Sequence, residues 1–206
     1  ISKSGEVFST VIEANGVYQP VYEVQGLAGA VYEVTAAENI YTLDGTLRAS
    51  AGEVVDTVTT GADGIAKTKE LYLGKYDVKE ITAPTGMVLN GETHSVELVY
   101  AGQEIAVTET ATSYYNERQK VEISLNKKME ADATFGIGGN GEIADVTFGI
   151  YAAAELTAAD GAVIPADGLL EIVSVSADGM AKFAVDLPIG SYYVKELATN
   201  AAYLIS

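Results

Sequence analysis

The sequence predicts an all-β protein built as two tandem sandwich domains. Three observations carry this. Runs rich in Val, Ile, Tyr and Thr recur at short spacing between Gly-containing turns, and the chain holds 21 Gly in 206 residues. No long amphipathic helical period interrupts them. Three blocks of sequence occur twice, in the same order.

The first block is Leu27–Val34, which aligns with Ile143–Ile150; both run on into small residues, Ala36-Ala37 and Ala152-Ala153. The second is Ala62-Asp63-Gly64-Ile65-Ala66-Lys67, matched by Ala177-Asp178-Gly179-Met180-Ala181-Lys182. Asp-Gly between strand-like runs is a hairpin signal, because Gly adopts positive φ without strain. The third is Gly-x-Tyr-x-Val-Lys-Glu, at Gly74–Glu80 and again at Gly190–Glu196. The offset between copies is nearly constant, with one extra residue before Gly190.

Taken in order, Ser4–Gln25 contains Asn15-Gly16 and Pro20 and reads as an extra hairpin or loop, covering a sheet edge or carrying a binding surface. Strands are expected at Val31–Thr35, Glu53–Thr59, Ile65–Lys69, Lys75–Ile81, Ser95–Tyr100, Glu104–Thr108 and Ser113–Asn116. A polar link, Glu117-Arg118-Gln119-Lys120, separates a first domain, 1–119, from a second, 120–206. The second copy supplies Val121–Lys127, Thr147–Tyr151, Leu170–Val175, Met180–Ala184 and Tyr192–Leu197, with one helical turn allowed at Ala152–Ala158.

Composition removes several functions. Twelve basic residues oppose 29 acidic ones, a formal charge of −17. Nucleic acid and anionic membrane surfaces are poor partners for such a chain, since binding there requires Lys and Arg against phosphate. There is no cysteine, hence no disulfide, thiolate metal site or cysteine nucleophile. The one histidine, His94, follows the Asn90-Gly91 turn and is expected at the surface. No run has membrane-spanning length, so no membrane insertion is expected. Neither a secretory leader at Ile1 nor a sorting signal at Ser206 is present, so the chain is expected to be an internal piece of a longer protein. Asp63-Gly64 and Asp178-Gly179 lack the alternating acids of a calcium loop. The Gly-rich stretch Phe135–Gly141 lacks the Lys-Ser/Thr of a phosphate cradle, so no cofactor or metal is expected.

The chemistry sits on strand faces. Tyr76, Val78 and Glu80 alternate, as do Tyr192, Val194 and Glu196, which puts a carboxylate on an apolar face in each copy. Ile123, Leu125 and Lys127 alternate in the same way, and Ile1 and Lys3 show the end of that pattern. Tyr114 and Asn116 share a face of the last strand of the first copy. By themselves these residues suit either an unreacted buried ion pair with an amide neighbour or a reactive set.

Leu27–Tyr32, the Asp63-Gly64 turn, Gly74–Glu80 and Ile81-Thr82-Ala83-Pro84-Thr85-Gly86 together resemble tandem CnaB-type (SpaA-like) domains of Gram-positive surface adhesins and pilins. The resemblance spans nearly the whole chain. It implies a reverse immunoglobulin-like sandwich and an autocatalytic isopeptide bond. Carried over by position, Lys3 and Asn116 form the cross-link and Glu80 is the catalytic acid. Burial disfavours charge, so the Lys3 amine can lose its proton and attack the Asn116 carboxamide carbon. Glu80 would then stabilise the developing oxyanion and pass a proton to the departing ammonia.

The second copy keeps Lys127 and Glu196, but Ile81-Thr82-Ala83-Pro84 becomes Leu197-Ala198-Thr199-Asn200. Asn200 is too close to Glu196 to lie on a closing strand. The second domain is therefore expected to lack its final strands here, with Lys127 unbonded and a sheet edge open to another chain. The resemblance implies a stalk or shaft segment of an extracellular, cell-wall-attached protein. It would be no turnover enzyme, and its partners would be neighbouring domains. The alternative is a ligand-binding adhesin module that recognises host glycan or matrix protein.

Overall fold

The structure is a computed structural model that describes residues 1–205. Two compact units form. The first comprises Ile1–Val7 and Glu23–Gln119; the second comprises Phe8–Tyr22 and the chain from Lys120 onward. The only helical element among the described residues is a 3-10 turn at Glu142–Asp145.

The chain opens with a long hairpin, β1 (Ser2–Ala14) and β2 (Val17–Gly26). Asn15 and Gly16 at its tip both have positive φ, 53° and 77°, the backbone of a tight primed turn. This is the extra hairpin expected over Ser4–Gln25. Its tip residues, Phe8–Tyr22, group with the second unit rather than with the 1–119 domain, because Phe8, Val11 and Tyr18 pack on the second unit's core.

In the first unit follow β3 (Val31–Ala36), β4 (Ile40–Tyr41), β5 (Leu47–Ala49), β6 (Val54–Thr59), β7 (Gly74–Thr82), β8 (Thr93–Leu98) and β9 (Ser113–Asn116). One sheet runs β6-β3-β7-β8, antiparallel throughout. β-Branched and aromatic side chains alternate along it, so Tyr32, Val34 and Ala36 on β3 and Tyr76 and Val78 on β7 turn into the core. Against this face packs Tyr114 of β9. β9 lies parallel to the start of β1, with Lys3 opposite Tyr114 and Gly5 opposite Asn116.

In the second unit lie β10 (Ser124–Asn126), β11 (Thr147–Ala152), β12 (Leu156–Thr157), β13 (Val163–Ile164), β14 (Leu169–Ser174), β15 (Met180–Lys182) and β16 (Tyr192–Ala198). β11 is flanked by β14 and β16, and β2 joins beside β14 through Val17 opposite Leu169. β10 pairs with β15. Ile150, Leu156, Ile164, Leu170, Phe183 and Leu187 form the main core.

Four local expectations are corrected. Ile65–Lys69 makes a single bridge, Ser2 with Ile65, and not a strand. Glu104–Thr108 is irregular, for Gly102 (φ 102°) turns the chain just before it. Ala152–Ala158 contains no helical turn: Ala152 ends β11 and Leu156 opens β12, each buried in the strand-built core. His94 is half-buried, because β8 alternates and turns it, with Val96 and Leu98, inward, where its ring stacks on Tyr114 at 4.0 Å.

Candidate functional site

Three strands bring three polar residues together inside the first unit. β1 supplies Lys3, β7 supplies Glu80 and β9 supplies Asn116; their relative exposures are 2%, 0% and 1%. The alternation of β7 points Glu80 the same way as Tyr76 and Val78, as the sequence pattern requires. Tyr115 faces out, so its neighbours Tyr114 and Asn116 face in.

Turn chemistry fixes where Lys3 sits. The Lys3 N–H donates to the Gly64 carbonyl at 2.7 Å, and the Lys3 carbonyl accepts from Leu27 N–H at 3.0 Å. Gly64 has φ 75°, and a Cβ there would lie 2.3 Å from the Lys3 carbonyl oxygen. Only glycine allows that approach. The repeated Asp-Gly turn is thus the clamp on the lysine strand. The second copy confirms it, since Lys127 N–H donates to the Gly179 carbonyl at 2.7 Å.

The side chains make a closed set. Lys3 Nζ donates to Asn116 Oδ1 and lies 3.1 Å from Glu80 Oε1. Asn116 Nδ2 donates to both Glu80 oxygens, at 2.9 and 3.1 Å. Glu80 Oε2 also accepts from the Asn90 backbone N–H at 2.7 Å. In this arrangement Glu80 faces the carboxamide nitrogen, not the carbonyl oxygen. That differs from the expected oxyanion contact and places the acid beside the group that would leave.

Two tyrosines wall the set. The Lys3 nitrogen is 6.0 Å from the Tyr32 ring centre and 5.7 Å from that of Tyr114. The rings lie 4.9 Å apart, tilted by 44°. Tyr114 donates its hydroxyl to the Val78 carbonyl at 2.6 Å, whereas the buried Tyr32 hydroxyl makes no hydrogen bond. Burial pushes the Tyr114 phenol up to about 12. Burial, and secondarily the Glu80 charge, holds the Tyr32 phenol above its ordinary range. Desolvation lowers the Lys3 ammonium from its ordinary 10.5, partly offset by the hydrogen bond and charge of Glu80.

Asn90 and Tyr32 are the residues that sequence reasoning missed. Asn90-Gly91 reads as a turn, and nothing in it signals a backbone N–H aimed at Glu80. Tyr32 sits in a repeated block whose other copy has Phe148. That difference at a matched position is the signal available from sequence.

The second unit holds a reduced version. Lys127 Nζ and Glu196 Oε2 are 2.9 Å apart, with side-chain exposures of 17% and 1%. Phe148 takes the position of Tyr32, opposite Glu196 as Tyr32 is opposite Glu80. Asn200 does not join them: it donates to Asp145 Oδ2 at 2.6 Å, beyond the end of β16.

A pair of strand-built units, one holding a buried amine, acid and carboxamide in mutual contact, defines an all-β domain protein with an internal site of its own residues. Residues 21–113 match the SpaA family, described as a prealbumin-like fold domain. The match falls almost entirely on the first unit, whose all-β build agrees with that description. The trypsin-resistant surface T6 protein of Streptococcus pyogenes serotype M6 is 32% identical over 73 residues, which is 34% of this chain and 14% of that protein. The Bacillus anthracis TIE protein superimposes over 92% of this chain with a TM-score of 0.55 and 24% identity, and supports the fold. BcpA, the major pilin subunit of Bacillus cereus, aligns with 99% of this chain and 66% of its own, at 16% identity and a TM-score of 0.31. This chain spans a seventh of the T6 protein (14%) and a third of the TIE protein (33%).

Proposed function

We propose that the first unit is a self-cross-linking structural domain of a Gram-positive cell-surface protein, in which Lys3 and Asn116 join through an amide bond with Glu80 as proton carrier. The observation that carries this is the mutual contact of the three side chains in a site closed to water. A proton passes from Lys3 Nζ to Glu80, leaving a neutral amine and a neutral acid. Nζ attacks Cγ of Asn116. Glu80 gives its proton to Nδ2, the Cγ–Nδ2 bond breaks, and ammonia leaves. Glu80 then takes the second proton from Nζ. An ammonium, a carboxylate and a carboxamide become a secondary amide, a neutral acid and ammonia, and two buried charges vanish. Positioning of this quality is worth ~7–11 kcal/mol of barrier. The reaction runs once and has no turnover.

Cell-wall attachment and neighbouring domains follow from the same reading, supported by the surface T6 protein and by the small share of it that this chain spans. The Lys127–Glu196 pair would react only with a carboxamide brought to it from elsewhere. Intact mass of the purified chain tests the central claim. The expected result is the loss of one ammonia in the wild type and none in Glu80→Ala. A folded wild type of unmodified mass overturns it.

A further inference from the structure

Tyr32 carries a cost that its place in the core does not explain. Its hydroxyl is fully buried and makes no hydrogen bond. Such a group leaves its desolvation uncompensated, a cost that phenylalanine would avoid. The second unit has that phenylalanine: Phe148 stands opposite Glu196 as Tyr32 stands opposite Glu80. The difference follows the chemistry, for among the described residues only the first unit holds an amine, an acid and a carboxamide together.

The cross-linking step leaves one need unmet. When Nζ attacks Cγ, negative charge develops on Asn116 Oδ1. The donor on that oxygen in the resting site is Lys3 Nζ itself, which becomes the attacking atom and gives up two of its three protons as the bond forms. Glu80 is occupied on the other side, by Asn116 Nδ2 and the Asn90 N–H. The Tyr114 hydroxyl is committed to the Val78 carbonyl. Tyr32, whose ring centre is 6.0 Å from the reacting nitrogen, has the hydroxyl without a partner.

We propose that Tyr32 is a further catalytic residue, whose hydroxyl donates to the anionic oxygen of Asn116 while the tetrahedral intermediate exists. It keeps its own proton throughout, so the balance of the reaction is unchanged. The unmet hydrogen bond of the resting site is then a group held ready for a charge that appears only during reaction. This rests on the cross-linking reading above.

The test follows ammonia loss in time. The full chain is made by cell-free synthesis, samples are quenched in acid and denaturant, and intact mass gives the cross-linked fraction. Tyr32→Phe is expected to slow the reaction by ~10²-fold, as removal of one oxyanion donor does elsewhere. A second pair, Asn116→Ala with and without Tyr32→Phe, cannot cross-link and reports folding alone. There the unfolding midpoint is expected to stay level or rise. Tyr32→Phe reacting at the wild-type rate overturns the inference and leaves the cross-linking reading intact. A slow reaction accompanied by a lowered midpoint in the Asn116→Ala pair also overturns it, since Tyr32 would then act through the fold. A wild type that never loses ammonia overturns both.

Discussion

Glu80 accepts three hydrogen bonds and faces one cation, so each of its oxygens is already engaged before any reaction. Lys3 bears the desolvation, and its ammonium is lowered from 10.5. Two pH effects follow. The rate of ammonia loss is level with pH while the site holds the proton that passes from Lys3 to Glu80 and falls as that proton is lost, a fall that begins below 10.5 because the folded site releases the Lys3 proton before free lysine would. A stopped time course across pH checks it. In Asn116→Ala, which retains the amine and acid unreacted, stability also depends on Lys3. Between the lowered folded value and 10.5 the unfolded chain holds more protons, so stability rises with pH; below that window the full cost of the buried ammonium is present. Urea midpoints from neutral pH upward should therefore increase, with the opposite slope from Tyr32 and Tyr114 entering only above their ordinary 10. A flat or falling curve would refute the assignment. Tyr114→Phe in the same background removes the bond to Val78 and should lower stability by roughly 1 kcal/mol.

The strand carrying Glu80 was legible from sequence because period-two alternation is a local property, and Tyr76, Val78 and Glu80 declare the buried face of β7 directly. Lys3 and Asn116 were legible only together with the family resemblance, since two residues of alternation before Lys3 fix no face. The sequence shows the hairpin β1–β2 as an insertion but not its destination. Phe8, Val11 and Tyr18 look like any half-buried strand, and the core that receives them lies more than a hundred residues away in sequence. Phe8→Ala should accordingly destabilise the second unit by about 2 kcal/mol, read as an earlier loss of its amide protection in hydrogen exchange. If only the first unit loses protection, the hairpin does not serve the second core. The Asp-Gly turn offers a sharper test. Gly64→Ala meets both a positive φ and the Lys3 carbonyl, so it should cost more than about 1 kcal/mol and slow cross-linking by displacing β1.

For the molecule as a whole, the proposed bond closes a long loop, since Lys3 and Asn116 are 113 positions apart in sequence. By analogy with a disulfide of that span, it should restrict the unfolded chain by on the order of 4–5 kcal/mol. Asn116→Ala, which keeps the ion pair but cannot cross-link, should therefore melt well below the wild type. Equal melting temperatures in scanning calorimetry would show that the tie contributes nothing.

The parallel register of β1 and β9 has a mechanical meaning. Tension applied through Ile1 and through the residues after Asn116 pulls the two strands lengthwise past each other, in opposite directions. Their backbone hydrogen bonds, from Ser2 opposite Ser113 to Gly5 opposite Asn116, are then loaded in shear and must fail together rather than open one after another. An antiparallel pair pulled from the same side would unzip bond by bond. Under such a load the Lys3–Asn116 contact would sit where the force axis enters and leaves the first unit.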